Sequence, residues 1–178
     1  MSIGENSELN PTSAIPGGVV RITLRPFREA DAEALHPIFA DPEAMRFWSS
    51  PPHATLDGTR AYVNATIAAT SEGRGDDQVI LFEGRVIGKA GLWDNQEIGF
   101  ILARDHWGRG LAREAAGLVI ARARSRGVTT IVADVDPRNT ASLGLLRRMG
   151  FVQTGQASAT MKVGDEWVDS LYLALDLS

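Results

Sequence analysis

Residues 96–126, QEIGFILARDHWGRGLAREAAGLVIARARSR, decide how this chain is read. The stretch opens as an apolar strand, turns tightly at Gly108 and Gly110, and continues as a long amphipathic helix from about Leu111. The first turn of a helix has N–H groups without intrahelical acceptors and carries the positive end of the macrodipole, so a glycine turn at that point forms an anion cradle. Two common phosphate loops do not fit. Counting from Gly108, the sixth position of a dinucleotide fingerprint is Arg113, and no Lys-Ser or Lys-Thr pair follows as a Walker loop requires.

Working outward, Leu111, Ala115, Leu118 and Val119 give the helix an apolar face, and Gly127 stops it. The β-branched run 128–135 is the next strand. A crossover helix between two strands of one sheet makes them parallel. Upstream, 78–83 and 86–93 read as strands joined at Gly84-Arg85, with Asp94-Asn95 turning into the strand 97–103, so three antiparallel neighbours precede the crossover. Earlier still, 19–24 reads as a strand ended by Arg25-Pro26, 28–40 as a helix closed by Asp41-Pro42, and 56–70 as a second helix stopped by the Gly73–Asp77 cluster. Between them MRFWSSPP, 45–52, is a loop whose Phe47 and Trp48 either line a substrate mouth or cap the core. After Asn139 come a helix and two strands, near 151–154 and 167–175, around a Gly164-Asp165 turn. The sum is one α/β domain over 19–178 with a mixed, mostly antiparallel sheet, preceded by a loose polar tail, 1–18, without a signal-peptide core.

Composition narrows the chemistry. With no cysteine, thiolate catalysis and Cys-ligated metals are excluded, and the three scattered histidines, His36, His53 and His106, do not suggest a metal site. A net charge of −4 argues against a general nucleic-acid role, although Arg104, Arg109, Arg113, Arg122, Arg124 and Arg126 crowd the central segment. Apolar runs fall well short of the roughly 20 residues of a membrane span, so no membrane partner is expected and a cytoplasmic location is the default.

The hexamer Trp107-Gly108-Arg109-Gly110-Leu111-Ala112, followed by Glu114-Ala115, resembles motif A of the GNAT acyl-CoA N-acetyltransferases, in its RimJ/RimL-like branch. LRPFREADA at 24–32 with the later Asp41-Pro42 is similar to the opening of that branch. Asn139-x-x-Ser142 with Gly150-Phe151 resembles motif B, although Asn139 also reads as a helix cap, Ser142 as a first-turn residue and Gly150 as a helix stop. Gly164 to Tyr172, with Asp165 and Asp169, is similar to the family's C-terminal strand.

The resemblance implies an α/β (α+β) GNAT fold, a twisted sheet of about seven strands flanked by about four helices, with two strands splayed to admit the pantetheine arm. It implies acetyl-CoA as cosubstrate, no metal, and direct acetyl transfer to a primary amine, either a protein N-terminal Ala or Ser or a small amine. The backbone of Gly108, Arg109, Gly110, Leu111 and Ala112, with Trp107 before it, is expected to hold the pyrophosphate, and Arg109 to add charge. Asn139 and Ser142 are expected at the pantetheine end, Phe100, Ile101 and Leu102 to pair with the arm and meet the oxyanion, Glu97 to act as base, and Ser142 to protonate the leaving thiolate. Many relatives place a tyrosine where this chain has Leu146. Acceptor contacts are expected from loops 45–55 and 156–166. A non-catalytic CoA-binding or immunity-type protein is the alternative, and a homodimer is left open.

Overall fold

Short polar turns that tolerate left-handed backbone set the order of the sheet. In the computed structural model, which describes residues 20–163 and 165–178, Glu83 and Gly84, at φ 50° and 75°, join β2 (Gln78–Phe82) to β3 (Arg85–Trp93) in a two-residue hairpin. Asp94 and Asn95, at φ 47° and 59°, turn β3 into β4 (Glu97–Leu102); Asp and Asn are the non-glycine residues that accept this conformation most readily. The expected tail 1–18 lies outside the described residues, as does Gly164 of the expected terminal turn.

The remaining elements are β1 (Ile22–Pro26), α1 (Asp31–Phe39), α2 (Leu56–Ser71), α3 (Leu111–Ser125), β5 (Thr130–Val135), α4 (Thr140–Arg148), β6 (Val152–Val163) and β7 (Glu166–Asp176). One sheet of seven strands runs in the order β1-β2-β3-β4-β5-β7-β6, antiparallel at every neighbour except β4–β5. Alternation along the strands divides the core in two. Ile80, Leu92, Ile98, Leu102, Ile131 and Ala133 pack with α3 and α4 on one face, whereas Val79 and Ile101 pack with α1 and α2 on the other. Among the described residues no helix is long and apolar enough to cross a membrane.

Two expectations change. The first strand is Ile22–Pro26 and not 19–24, so Pro26 belongs to it instead of ending it. β1 is an edge strand, where the donor that proline lacks leaves no partner unsatisfied. Most of 156–166, expected as a loop, is the second half of β6. Its register slips twice, between Gln153 and Gly155 and between Ala157 and Met161, and a bulge of this kind disrupts the alternation that marks a strand in sequence. Asp169 secures the second slip: its carboxylate accepts the N–H of Ala159, a residue at φ 52°. The segment 45–55 is without regular structure, as expected.

Candidate active site

β4 and β5 touch at a single register pair, Glu97 with Val132, where the Val132 N–H donates to the Gln96 carbonyl at 3.0 Å. Beyond that point the strands diverge toward their C-terminal ends and leave a V-shaped gap. The Ala103 N–H donates to the Ile87 carbonyl, so Glu97, Gly99, Ile101 and Ala103 direct their backbone groups to β3. Phe100 and Leu102 therefore direct theirs into the gap, and of the expected oxyanion donors Ile101 is turned away. The Leu102 carbonyl is taken by the Trp107 indole N–H at 2.9 Å, leaving the N–H groups of Phe100 and Leu102 facing the opening.

β4 runs about 17 Å from Glu97 to Leu102 at the rise of an extended strand, and past its end, at the open end of the gap, lies the turn that begins α3. Gly110 is its N-cap at φ 79°, without a side-chain cap, and Gly108 lies at φ 68°. A Cβ at Gly108 would meet nothing within 4 Å, so backbone conformation, and not crowding, calls for glycine there. Arg21 fixes the turn from β1's side: its guanidinium donates to the Arg109 carbonyl at 2.6 Å and to Glu114 Oε1, and its N–H donates to Glu114 Oε2. Leu111 anchors the helix start in the core, Ala112 is half-buried against it, and Trp107 keeps an exposed face. This cradle fits a pyrophosphate, since open helix-start donors surround glycines held from behind.

The arginines divide unexpectedly. Arg109 lies over the Phe82 ring at 4.8 Å and beside His106. Arg104 pairs with Asp41, Arg122 and Arg126 with Asp76, and Arg138 with both Asp136 and Glu166. Arg113, exposed in the first turn of α3, has no ion-pair partner among the described residues, and it stands closer in sequence to the cradle than most of the cluster.

Asn139 is the N-cap of α4, its side-chain oxygen accepting the Ser142 N–H at 3.1 Å. That oxygen is thereby committed to the helix, and the amide NH₂ is the group left for a ligand. Ser142 is half-buried in the first helical turn, and Leu146 one turn later is core.

On the α1–α2 face, Glu97 sits at the closed end of the gap. Loss of water around the carboxyl raises its pKa, the Asp134 carboxylate on β5 raises it further, and Lys89 opposes both. The side chain keeps solvent contact, so a proton can enter and leave. Next to it opens a cleft lined by Arg46, Phe47 and Trp48 of the loop, Asp134 and Asp136 of β5 and its continuation, and Ser170 of β7. Trp48 lines this cleft and caps the second core as well, meeting Phe39 edge-on at 6.0 Å. Tyr172 on β7 is the register partner of Asp134. Ser170, two residues earlier on β7, lines the same cleft, a grouping that no local sequence pattern marks. Among the described residues no group of three His, Asp or Glu side chains could hold a metal ion.

The acetyltransferase (GNAT) domain family matches residues 21–152. The uncharacterized N-acetyltransferase p20 of Bacillus licheniformis is 31% identical over 144 residues, covering 76% of this chain and 81% of that protein. Among the solved structures that share the fold are two in complex with CoA. The Vibrio cholerae spermidine N-acetyltransferase, in complex with CoA and spermine, superposes with a TM-score of 0.78 at 19% identity, covering 88% of this chain and 96% of that one. RimL, a ribosomal L7/L12 alpha-N-protein acetyltransferase in complex with coenzyme A, gives 0.81 at 21% identity, covering 92% and 98%. With the family matched over most of its length and a relative aligned across four-fifths of its own, the chain belongs to the GNAT family of acyl-CoA-dependent N-acetyltransferases.

Proposed function

We propose that residues 19–178 form a single RimJ/RimL-like acetyltransferase domain that moves an acetyl group from acetyl-CoA to a primary amine. The observation that carries this reading is the gap between β4 and β5, reduced to one register pair, with a glycine cradle at its open end and a carboxyl of raised pKa at its closed end. The pyrophosphate is held by backbone N–H groups at 108–112, with charge from Arg109 and Arg113. The pantetheine arm pairs with the free edge of β4, near Asn139 and Ser142.

An amine that arrives as an ammonium ion must lose a proton before it attacks. Glu97 accepts that proton, directly or through water, and its raised pKa brings it nearer to the amine's own range. As the C–N bond forms, the N–H of Phe100, the nearer of the two open donors to Glu97, stabilises the developing oxyanion, and the Leu102 N–H, two residues along the strand, is left to the pantetheine arm. As the C–S bond breaks, Ser142 donates to the leaving thiolate, whose negative charge is favoured at the start of α4. The acceptor occupies the cleft beside Trp48 and Asp134.

The two structural relatives act on a polyamine and on a protein N-terminus, so their names support an amine without choosing its class. Acetyl-CoA consumption across spermidine, single amino acids and Ala- or Ser-initiated peptides tests the reading. Saturable turnover of at least one amine, lowered by about 10² to 10⁴ in Glu97→Gln, is expected. CoA binding without turnover of any amine would favour the non-catalytic alternative, for which the buried Leu146 in place of a tyrosine is the supporting observation.

A further inference from the structure

Lys89, in the middle of β3, is only 5% exposed, and lysine is almost never fully buried unless paired. A glycine lets its partner approach, and a second lies beside its ammonium. Gly91 and Gly99 lie directly opposite each other on β3 and β4. A Cβ at Gly91 would come within 2.4 Å of the Asp77 Cα, so the Asp77 backbone rests on that glycine, and the Lys89 ammonium lies 3.7 Å from where a Gly99 Cβ would be. Lys89 Nζ donates to Asp77 Oδ1 at 2.8 Å and sits 4.7 Å from the centre of the Trp48 ring. Burial pulls the lysine pKa down, but Asp77 and the Tyr62 phenol more than offset it, and the side chain stays charged.

A buried ion pair adds little stability over an apolar pair of the same volume, so its presence here calls for another role. Trp48 belongs to a segment without helix or strand to hold its register, and it lines the cleft. We propose that Lys89 is a positioning residue for the amine acceptor, its ammonium holding the Trp48 ring as a wall of the cleft while Asp77 holds the ammonium. The proposal rests on the reading of that cleft as the acceptor site.

Lys89→Met alone strands a buried carboxylate and can cost the fold, so the informative variant is Lys89→Met with Asp77→Asn. Assayed with spermidine and with an Ala-initiated hexapeptide, using whichever wild type acetylates faster, this variant should raise acceptor KM by about 5- to 30-fold, the range of one desolvated cation–π contact. Its CoA Kd should stay within about twofold, and Lys89→Arg should keep a low KM because the guanidinium also faces an aromatic ring. The double variant should also shift tryptophan emission, and the shift should vanish in a Trp48→Phe background. A folded double variant with unchanged acceptor KM, unchanged emission, or equal losses in acceptor and CoA affinity overturns the proposal. If Trp48→Ala and Asp134→Asn also leave acceptor KM unchanged, the cleft is not the acceptor site. If they raise it and the Lys89 variant does not, only the role of Lys89 fails.

Discussion

Gly110 and Gly127 bracket α3 with nearly the same backbone, φ 79° and φ 78°, and this makes a controlled test of the cradle. A Cβ at Gly127 would meet nothing within 4 Å, and one at Gly110 only the Arg21 guanidinium at 3.6 Å, so aspartate at either site is strained by conformation and not by a clash. The left-handed cost is at most about 1–2 kcal/mol, and aspartate lies at the low end. The helix dipole then splits the pair. A carboxylate at the start of α3 regains about 0.3–1 kcal/mol, and the same charge at its end loses that amount. Gly110→Asp should therefore cost about 0–2 kcal/mol and Gly127→Asp about 1–3, each kcal/mol lowering Tm by about 2–4 °C for a chain of this size. Ligand binding should reverse the order. At a hundredfold excess over Kd, CoA stabilises a folded protein by about 2.7 kcal/mol, or about 5–11 °C. Gly127→Asp should keep that rise, and Gly110→Asp should lose it through bulk and like charge against the pyrophosphate. Thermal melts with and without CoA measure both quantities. A full CoA shift in Gly110→Asp, or equal losses in the two variants, would refute the cradle.

Glu97→Gln should lower turnover by about 10² to 10⁴ while leaving CoA affinity unchanged; unaltered kcat at neutral pH would leave Glu97 as a strand residue only. Because burial and Asp134 raise the Glu97 pKa in the folded state, its contribution to stability is present below the unfolded value and lost as pH rises through the folded one, so the same variant should not be destabilised at pH 7. Asp134→Asn removes one of those causes and should move the acidic limb of the kcat/KM profile to lower pH; a shift the other way counts against the pairing. Ser142→Ala should reduce turnover about 10- to 100-fold with little change in CoA binding, whereas a fully active Ser142→Ala beside an inactive Tyr172→Phe would move the proton donor to β7. His53, whose pKa is lowered by burial and by His36 across the shared Thr59 hydroxyl, should contribute stability above its unfolded pKa that is lost as pH falls through the folded one. Urea midpoints for His53→Gln and wild type should accordingly differ less at pH 5 than at pH 8, and a constant difference would rule this out.

Local pattern carried much of this protein. The turns at Gly84 and Asp94-Asn95, the apolar face of α3, the Gly108 and Gly110 cradle and the Asn139 cap each depend on interactions within a few residues, and these are the features legible in residues 78–142 read alone. The parallel neighbour of β4 also followed from local evidence, because a helix between two strands allows few other connections. The length of β6 did not. Its bulges break the two-residue alternation, and Asp169, ten residues away, supplies the bond that makes one of them tolerable.

The candidate site splits along the same line. Residue types at the cradle were readable because a helix start requires particular backbone conformations at particular positions. The distribution of charge was not, since which arginine is committed depends on carboxylates far off in sequence, 63 residues for Arg104 and Asp41 and 93 for Arg21 and Glu114. Lys89 shows this most clearly: in sequence it is one lysine in a strand, and only the pairing of β3 with β4 sets two glycines opposite each other beside it. Burial, desolvation and ion pairing arise from elements that meet across the sheet, so the chain alone determined the elements and the cradle, and tertiary packing decided which charged groups are free to do chemistry.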